Sequence, residues 1–332
     1  MARHAIRRSG IRTACPVVRS AGWLRRNGHR WRGPPFGLVR ARGGFAVASD
    51  RRAARKQCAK ICPSGLGAHD FAKPVLDRIA GVVPVAADAQ GHNRVTTAVA
   101  IFVKTPGRSP VKTRLARAIG HEAATEFHLL AAGAVAEVVG AAQGWNASFR
   151  PYWAVAECGA MDDRAWCAFP RLWQGDGELG DRLDRVYAIL RTAHERVLLI
   201  GADAPQVTPE LLRQARMALD DPVTPFVMGE AEDGGFWLFG GRAPILREVW
   251  CKVGYSRDDT ASQLCDALRS NGEIAVLPTL TDVDRPCDLP VLAEALAALR
   301  TLLPAQLRLL EWLEHHSTRQ NESIPIRHAS MS

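Results

Sequence analysis

Residues 196–210 read Arg196-Val-Leu-Leu-Ile-Gly-Ala-Asp203-Ala-Pro-Gln-Val-Thr208-Pro209-Glu210. Three signals meet there. Val197 to Ile200 is a short, wholly apolar run rich in branched residues, which predicts a strand buried on both faces. A carboxylate, Asp203, follows at once. Thr208-Pro209-Glu210 then opens a helix, with Thr208 as N-cap and proline in the first helical position. Strand, acidic loop and capped helix are one half of a βαβ unit.

The same alternation runs outward in both directions. Upstream, Ala98 to Val103 predicts a strand, Thr105 to Pro110 a loop, and Arg114 to Gln143 an alanine-rich helix broken near Gly120. Ser148 to Glu157 predicts another strand and Leu179 to His194 a helix. Downstream, Phe226–Gly229 and Phe236–Phe239 predict short strands around an acidic turn. Asp258–Ser270 predicts a helix, Ile274–Leu277 a strand, and Asp288–Leu303 and Pro304–His316 two helices. Strands alternating with helices give an α/β fold with a mostly parallel sheet. Such sheets bind ligands beyond the carboxyl ends of their strands, so the residues just after each strand are the informative ones.

Composition bounds the rest. With 47% hydrophobic and 23% charged residues, the 332-residue chain is neither wholly disordered nor collagen-like. No run approaches 18 uninterrupted apolar residues, so no membrane span is expected. The net charge of +9 is an average of two unlike parts. Residues 1–60 hold 16 Arg and Lys against one acid, Asp50, whereas the remainder holds 27 bases and 33 acids. Residues 1–94 therefore read as an Arg-rich, largely disordered extension, residues 95–316 as the folded domain, and 317–332 as a loose tail. A targeting or nucleic-acid-binding arm is the functional reading of the extension. The plainer one is a solvated segment, because the arm lacks the apolar core of a signal peptide. The eight cysteines are scattered. Cys58 and Cys62 have no second pair to complete a zinc site, and no disulfide framework shows. A reducing cytoplasm is the expected compartment. His315-His316 reads as the end of the last helix, where it meets the helix dipole.

Four loops carry the charged chemistry. After the first strand comes Lys104-Thr-Pro-Gly-Arg108-Ser-Pro-Val-Lys112-Thr113-Arg114. The chain has six Lys against 37 Arg, and two of the six, Lys104 and Lys112, fall within nine residues. Lysine is a compact point charge suited to a phosphate oxygen, and the plainer reading is a solvated basic turn. Asp203 lies at the end of a buried strand, where a carboxylate is costly unless paired or metal-bound. Its plainer reading, a helix cap, is weakened because Thr208 already holds the cap position. Glu232-Asp233-Gly234-Gly235-Phe-Trp237 is a hairpin turn or a pocket edge where glycines admit a ligand closely. In Asp282-Val-Asp284-Arg-Pro-Cys-Asp288, Asp288 is expected to cap the next helix. Asp282 and Asp284 are expected to face opposite sides, one of them reaching a metal held by Asp203. A weaker element, Gln174-Gly-Asp-Gly-Glu-Leu-Gly180-Asp-Arg182, makes room for a ligand or is an ordinary loop.

These motifs, in this order over about residues 96–300, resemble the DUF2064 glycosyltransferase-like family of the GT-A, nucleotide-diphospho-sugar transferase superfamily. They are distantly similar to 2-phospho-lactate guanylyltransferases. Ser109, Pro110, Ala204 and Phe236 depart from the family pattern. The resemblance implies a three-layer α/β/α sandwich and a transferase acting on a nucleoside-diphosphate sugar with Mg²⁺ or Mn²⁺. It implies catalytic roles for Asp203, Lys112 and Asp233, and phosphate or nucleotide contacts from Lys104, Arg108, Thr113, Arg114, Gly180 and Arg182. Substrate contacts fall to Glu232, Gly234, Gly235 and Trp237, and metal ligation to Asp203, Asp282 and Asp284. The expected partners are a nucleotide or nucleotide-sugar substrate and a small-molecule acceptor. The alternatives are nucleotidyl transfer from an NTP to a phosphorylated acceptor, and a non-catalytic protein whose arm binds nucleic acid.

Overall fold

The computed structural model describes residues 96–146 and 148–322, with side chains through His316. The basic extension, Cys58 and Cys62, and residues 323–332 lie outside the described residues. Seven strands form one sheet: β1 Thr97–Val103, β2 Phe149–Val155, β3 Arg171–Trp173, β4 Arg196–Gly201, β5 Phe226–Ala231, β6 Phe236–Gly241 and β7 Ile274–Leu280. Their order is β3-β2-β1-β4-β6-β5-β7. All neighbours pair in parallel except β6, which runs antiparallel to both β4 and β5. The helices are α1 Thr113–Ile119, α2 His121–Trp145, α3 Leu179–Arg191, α4 Pro209–Ala218, α5 Arg247–Cys251, α6 Thr260–Leu268, α7 Asp288–Ala297 and α8 Pro304–Glu322.

The central strands are apolar throughout because helices cover both faces. Along β1, Val99, Ile101 and Val103 point to one side and Ala98 and Ala100 to the other. The first side receives Ala132, Val135, Val138 and Val139 of α2 and Leu212 and Ala215 of α4. The second receives Leu183, Val186 and Tyr187 of α3, Trp250 of α5 and Leu264 of α6. This is the expected three-layer sandwich. The far side of α2 is covered in turn: Phe127, Ala131 and Ala134 pack against Leu289 and Leu292 of α7 and Leu309 and Leu313 of α8. The helix is long and apolar enough to cross a membrane by length and composition, but burial between the sheet and two helices already accounts for an apolar surface on opposite faces.

Gly120, at φ +89°, separates α1 from α2 at the expected break. Thr208 caps α4 as expected, its side chain accepting the Leu211 N–H at 3.3 Å. Other boundaries differ. The helix carrying His315 and His316 continues to Glu322. His316 therefore stacks on Trp312 within the helix, with ring centroids 3.8 Å apart, rather than meeting a C-terminal dipole. Asp288 does not cap α7. Its carboxylate turns back to accept the N–H groups of Asp284 and Arg285, closing the loop before the helix. The three-residue β3 and the five-residue α5 were not expected from the sequence.

Candidate functional site

β1, β4, β5 and β7 all end at one edge of the sheet, and their next residues are Lys104, Ala202-Asp203, Glu232-Asp233 and Thr281-Asp282. Parallel pairing thus brings charged loops about 30 to 180 positions apart in sequence to one rim. Lys112, at the entry to α1, ties the rim together. Its backbone is left-handed, φ 45° and ψ 46°, a conformation costing roughly 1–2 kcal/mol for a residue with a Cβ. The side chain is only 5% exposed, and Nζ lies 2.8 Å from Asp203 Oδ1. The ammonium also donates to the Val283 carbonyl and sits 5.9 Å above the Phe127 ring centroid. Val283 N–H in turn donates to the Asp203 carbonyl at 3.1 Å. Two positions on, Arg114 forms an ion pair with Asp284. The loops after β1, β4 and β7 are therefore fastened by two cation–carboxylate contacts and one backbone bond.

Asp282 registers the resulting field. Its carboxyl is pushed up to about 7, first by burial and then by Asp203, with Lys112 opposing and Asp233 and Asp284 adding to the rise. Asp203, Asp233 and Asp284 therefore all lie within electrostatic reach of Asp282. Val283, between Asp282 and Asp284, is turned into the α2–α7–α8 core.

Sequence reasoning missed two residues that shape this rim. His128, on α2, is 6% exposed and donates from Nε2 to the Lys104 carbonyl at 2.9 Å. Burial holds its pKa below the ordinary value, opposed by Asp203. Glu157, after β2, accepts the Thr105 N–H at 3.0 Å, and Thr105 Oγ1 accepts from Trp166 Nε1 at 2.9 Å. The only signal for His128 was an imidazole amid alanines in an apolar helix, and Glu157 gave none.

The other expected residues are spread more widely. Lys104 and Asp233 are exposed at the rim, and Asp233 Oδ1 accepts the Gly235 N–H at 2.9 Å. Glu232 is held from below by Thr281 Oγ1 at 3.1 Å. Arg108 and Thr113 line an open cleft of about 380 Å³ with His121 and Thr125. Arg182 turns back on its own loop, Nε donating to the Gly177 carbonyl at 3.0 Å.

Three expectations need correction. Trp237 is 2% exposed: its indole lies across Gly229 and donates to the Pro278 carbonyl at 3.1 Å, so it is a core residue. Gly180 is where α3 meets α5, and a Cβ there would stand 2.8 Å from the Trp250 carbonyl oxygen. Its smallness serves helix packing. Gly234 admits its own chain, not a ligand: at φ +86° it abuts the Asp258 backbone, and its carbonyl accepts the Ala261 N–H at 2.9 Å.

Among the described residues no three His, Cys, Asp or Glu side chains form a metal-binding group. The expected Asp203–Asp282–Asp284 set is not a three-ligand cage, because Asp203 is turned to Lys112 and Asp284 to Arg114. The donor chemistry still suits a hard cation, since Mg²⁺ takes only one or two carboxylates and completes its shell with phosphate and water.

A family model described as "Uncharacterized protein conserved in bacteria (DUF2064)" matches residues 141–257. That span includes the Gln174–Arg182, Gly201–Pro205 and Glu232–Trp237 motifs, and it bears out the resemblance read from the sequence. No curated protein matches significantly. Among solved structures, a protein provisionally named a nucleotide-diphospho-sugar transferase, from Desulfovibrio desulfuricans G20, is 21% identical with a TM-score of 0.59. The match covers 68% of this chain and 98% of that one. It shows the fold. A cytidylyltransferase from Leptospira borgpetersenii serovar Hardjo-bovis matches at 9% identity and a TM-score of 0.41, over 69% of this chain and 99% of its own. CMP:2-keto-3-deoxy-manno-octonic acid synthetase complexed with CTP matches at 15% and 0.40, over 61% and 100%.

Proposed function

We propose that this chain, with DUF2064 sequence on a nucleotide-diphospho-sugar transferase fold, transfers a glycosyl group from a nucleoside-diphosphate sugar to a small acceptor. The observation that carries the reading is the convergence of Asp203, Asp233, Asp282 and Asp284 with Lys112 and Arg114 at one rim. A diphosphate is the ligand class that uses both signs of charge together, through a bridging cation and direct basic contacts.

Asp203 and Asp282 would hold the cation, Mg²⁺ or Mn²⁺, which when bound neutralises charge on the diphosphate. Lys104, Arg108 and Arg114 would meet the phosphate oxygens. Asp233, exposed and fixed by the Gly235 N–H, takes the proton of the acceptor hydroxyl. As that oxygen bonds to the anomeric carbon, the bond from that carbon to the β-phosphate oxygen breaks. The nucleoside diphosphate leaves with the electron pair. Glu232, beside Asp233 and anchored by Thr281, is placed to bind a sugar or acceptor hydroxyl.

Thermal unfolding with Mg²⁺ plus UDP-glucose, GDP-mannose, GTP or CTP tests the reading. A nucleotide-sugar should raise the Tm, by about 2.7 kcal/mol of stabilisation at a hundred times its Kd. Stabilisation by the NTPs alone would replace glycosyl transfer with nucleotidyl transfer.

A further inference from the structure

We infer that Lys112 is a built-in stand-in for a divalent cation: it holds the acidic loops together in the metal-free protein and positions Asp203, without touching the diphosphate. The inference rests on the metal-dependent reading above and deepens it.

The first argument is steric. At 5% exposure, with Asp203 Oδ1, the Val283 carbonyl and the Phe127 ring around it, the ammonium has its partners inside the protein. A lysine serving an incoming phosphate would instead be expected to stand free, as Lys104 does at the same rim. The second is conformational. A left-handed backbone at a residue with a Cβ is a strained state that must be held in place. Here it turns the Lys112 stem inward toward the β4 and β7 loops. The third is electrostatic. In the metal-free rim a protein cation already sits on two of the carboxylates, Lys112 on Asp203 and Arg114 on Asp284. Of the two ion pairs Lys112–Asp203 has the more buried cation; the Arg114 side chain is 56% exposed. Lys112 is accordingly the structural cation, and Arg114 the one free to exchange Asp284 for a ligand.

The test uses the full-length chain, no nucleotide, and Mn²⁺ alone as the probe, so it stands apart from the substrate screen. Wild type, Lys112→Met and Lys112→Met/Asp203→Asn are unfolded thermally in EDTA and in millimolar Mn²⁺. Lys112→Met leaves the partly exposed Asp203 carboxylate without its cation, so the variant should lose roughly 5 °C in EDTA. Mn²⁺ should restore most of that loss. The double variant, with both charges gone, should recover stability in EDTA and respond little to Mn²⁺. A lost aliphatic stem would predict otherwise: no rescue by metal and none by Asp203→Asn. Either of those results overturns the inference, as does a Lys112→Met protein as stable as wild type in EDTA. Should Lys112→Met fail to fold in EDTA, a folded double variant supports the inference and an unfolded one overturns it.

Discussion

Half-buried Asp282 and buried His194 are groups whose titration pulls stability in opposite directions. The Asp282 carboxyl is raised to about 7 by burial and by its acidic neighbours. Between the ordinary carboxylate range and that value the folded chain keeps a proton that the unfolded chain has released. Stability from this group is therefore lost as pH rises across the window. Asp282→Asn should raise the Tm at pH 8 in metal-free buffer and have little effect at pH 4, measured by calorimetry. His194 lies near the opposite edge of the sheet, bonded to Thr96 Oγ1 at 2.8 Å and Tyr152 OH at 2.9 Å. Burial, with Arg150 adding, lowers it to about 4. Its neutral form is favoured by the fold, so stability falls as pH drops from about 6.5 toward 4. Across that window His194→Gln should flatten the pH dependence of unfolding by roughly 1–3 kcal/mol. At this scale the sequence made Lys112, Asp203 and Asp284 visible, because a charge directly after a buried strand has few plain explanations. It misled at Trp237 and Gly180. An aromatic ring or a glycine beside a motif looks the same whether it packs or binds. His128 was hidden because one imidazole in an alanine-rich helix resembles core.

Among the elements, α4 was the most legible, since Thr208 and Pro209 mark its start by local chemistry alone. Thr208→Ala should cost about 1 kcal/mol in equilibrium unfolding. The β5–β6 turn shows the opposite case. Asp233-Gly234-Gly235 reads equally as hairpin or pocket, and only the approach of the α6 entry settles what Gly234 is for. Gly234→Ala should destabilise by more than about 2 kcal/mol in urea unfolding, since the added Cβ meets backbone and the positive φ is strained. It should also displace Asp233 and with it any activity. β3 and α5 escaped notice because three and five residues are too few to display a period. Asp288 was misassigned because an acid before a helix can bond backward as well as forward.

For the whole molecule, alternating strands and helices were enough to give the α/β class and the edge on which the site lies. The hairpin reading of the acidic turn already reverses β6 against β5, but the insertion of β6 between β4 and β5 was not legible, because strand order follows from contacts between distant segments. That order matters to function. It places the loops after β1, β4, β5 and β7 on one rim and gathers the four carboxylates that no local stretch contains. Titration calorimetry of the full-length chain with a nucleoside-diphosphate sugar, with Mn²⁺ and then with EDTA, for wild type and Asp203→Asn, tests that gathering most directly. Binding that needs Mn²⁺ and weakens at least tenfold in Asp203→Asn, about 1.4 kcal/mol, is the predicted result. Equal affinity in the variant, or binding indifferent to EDTA, would contradict it.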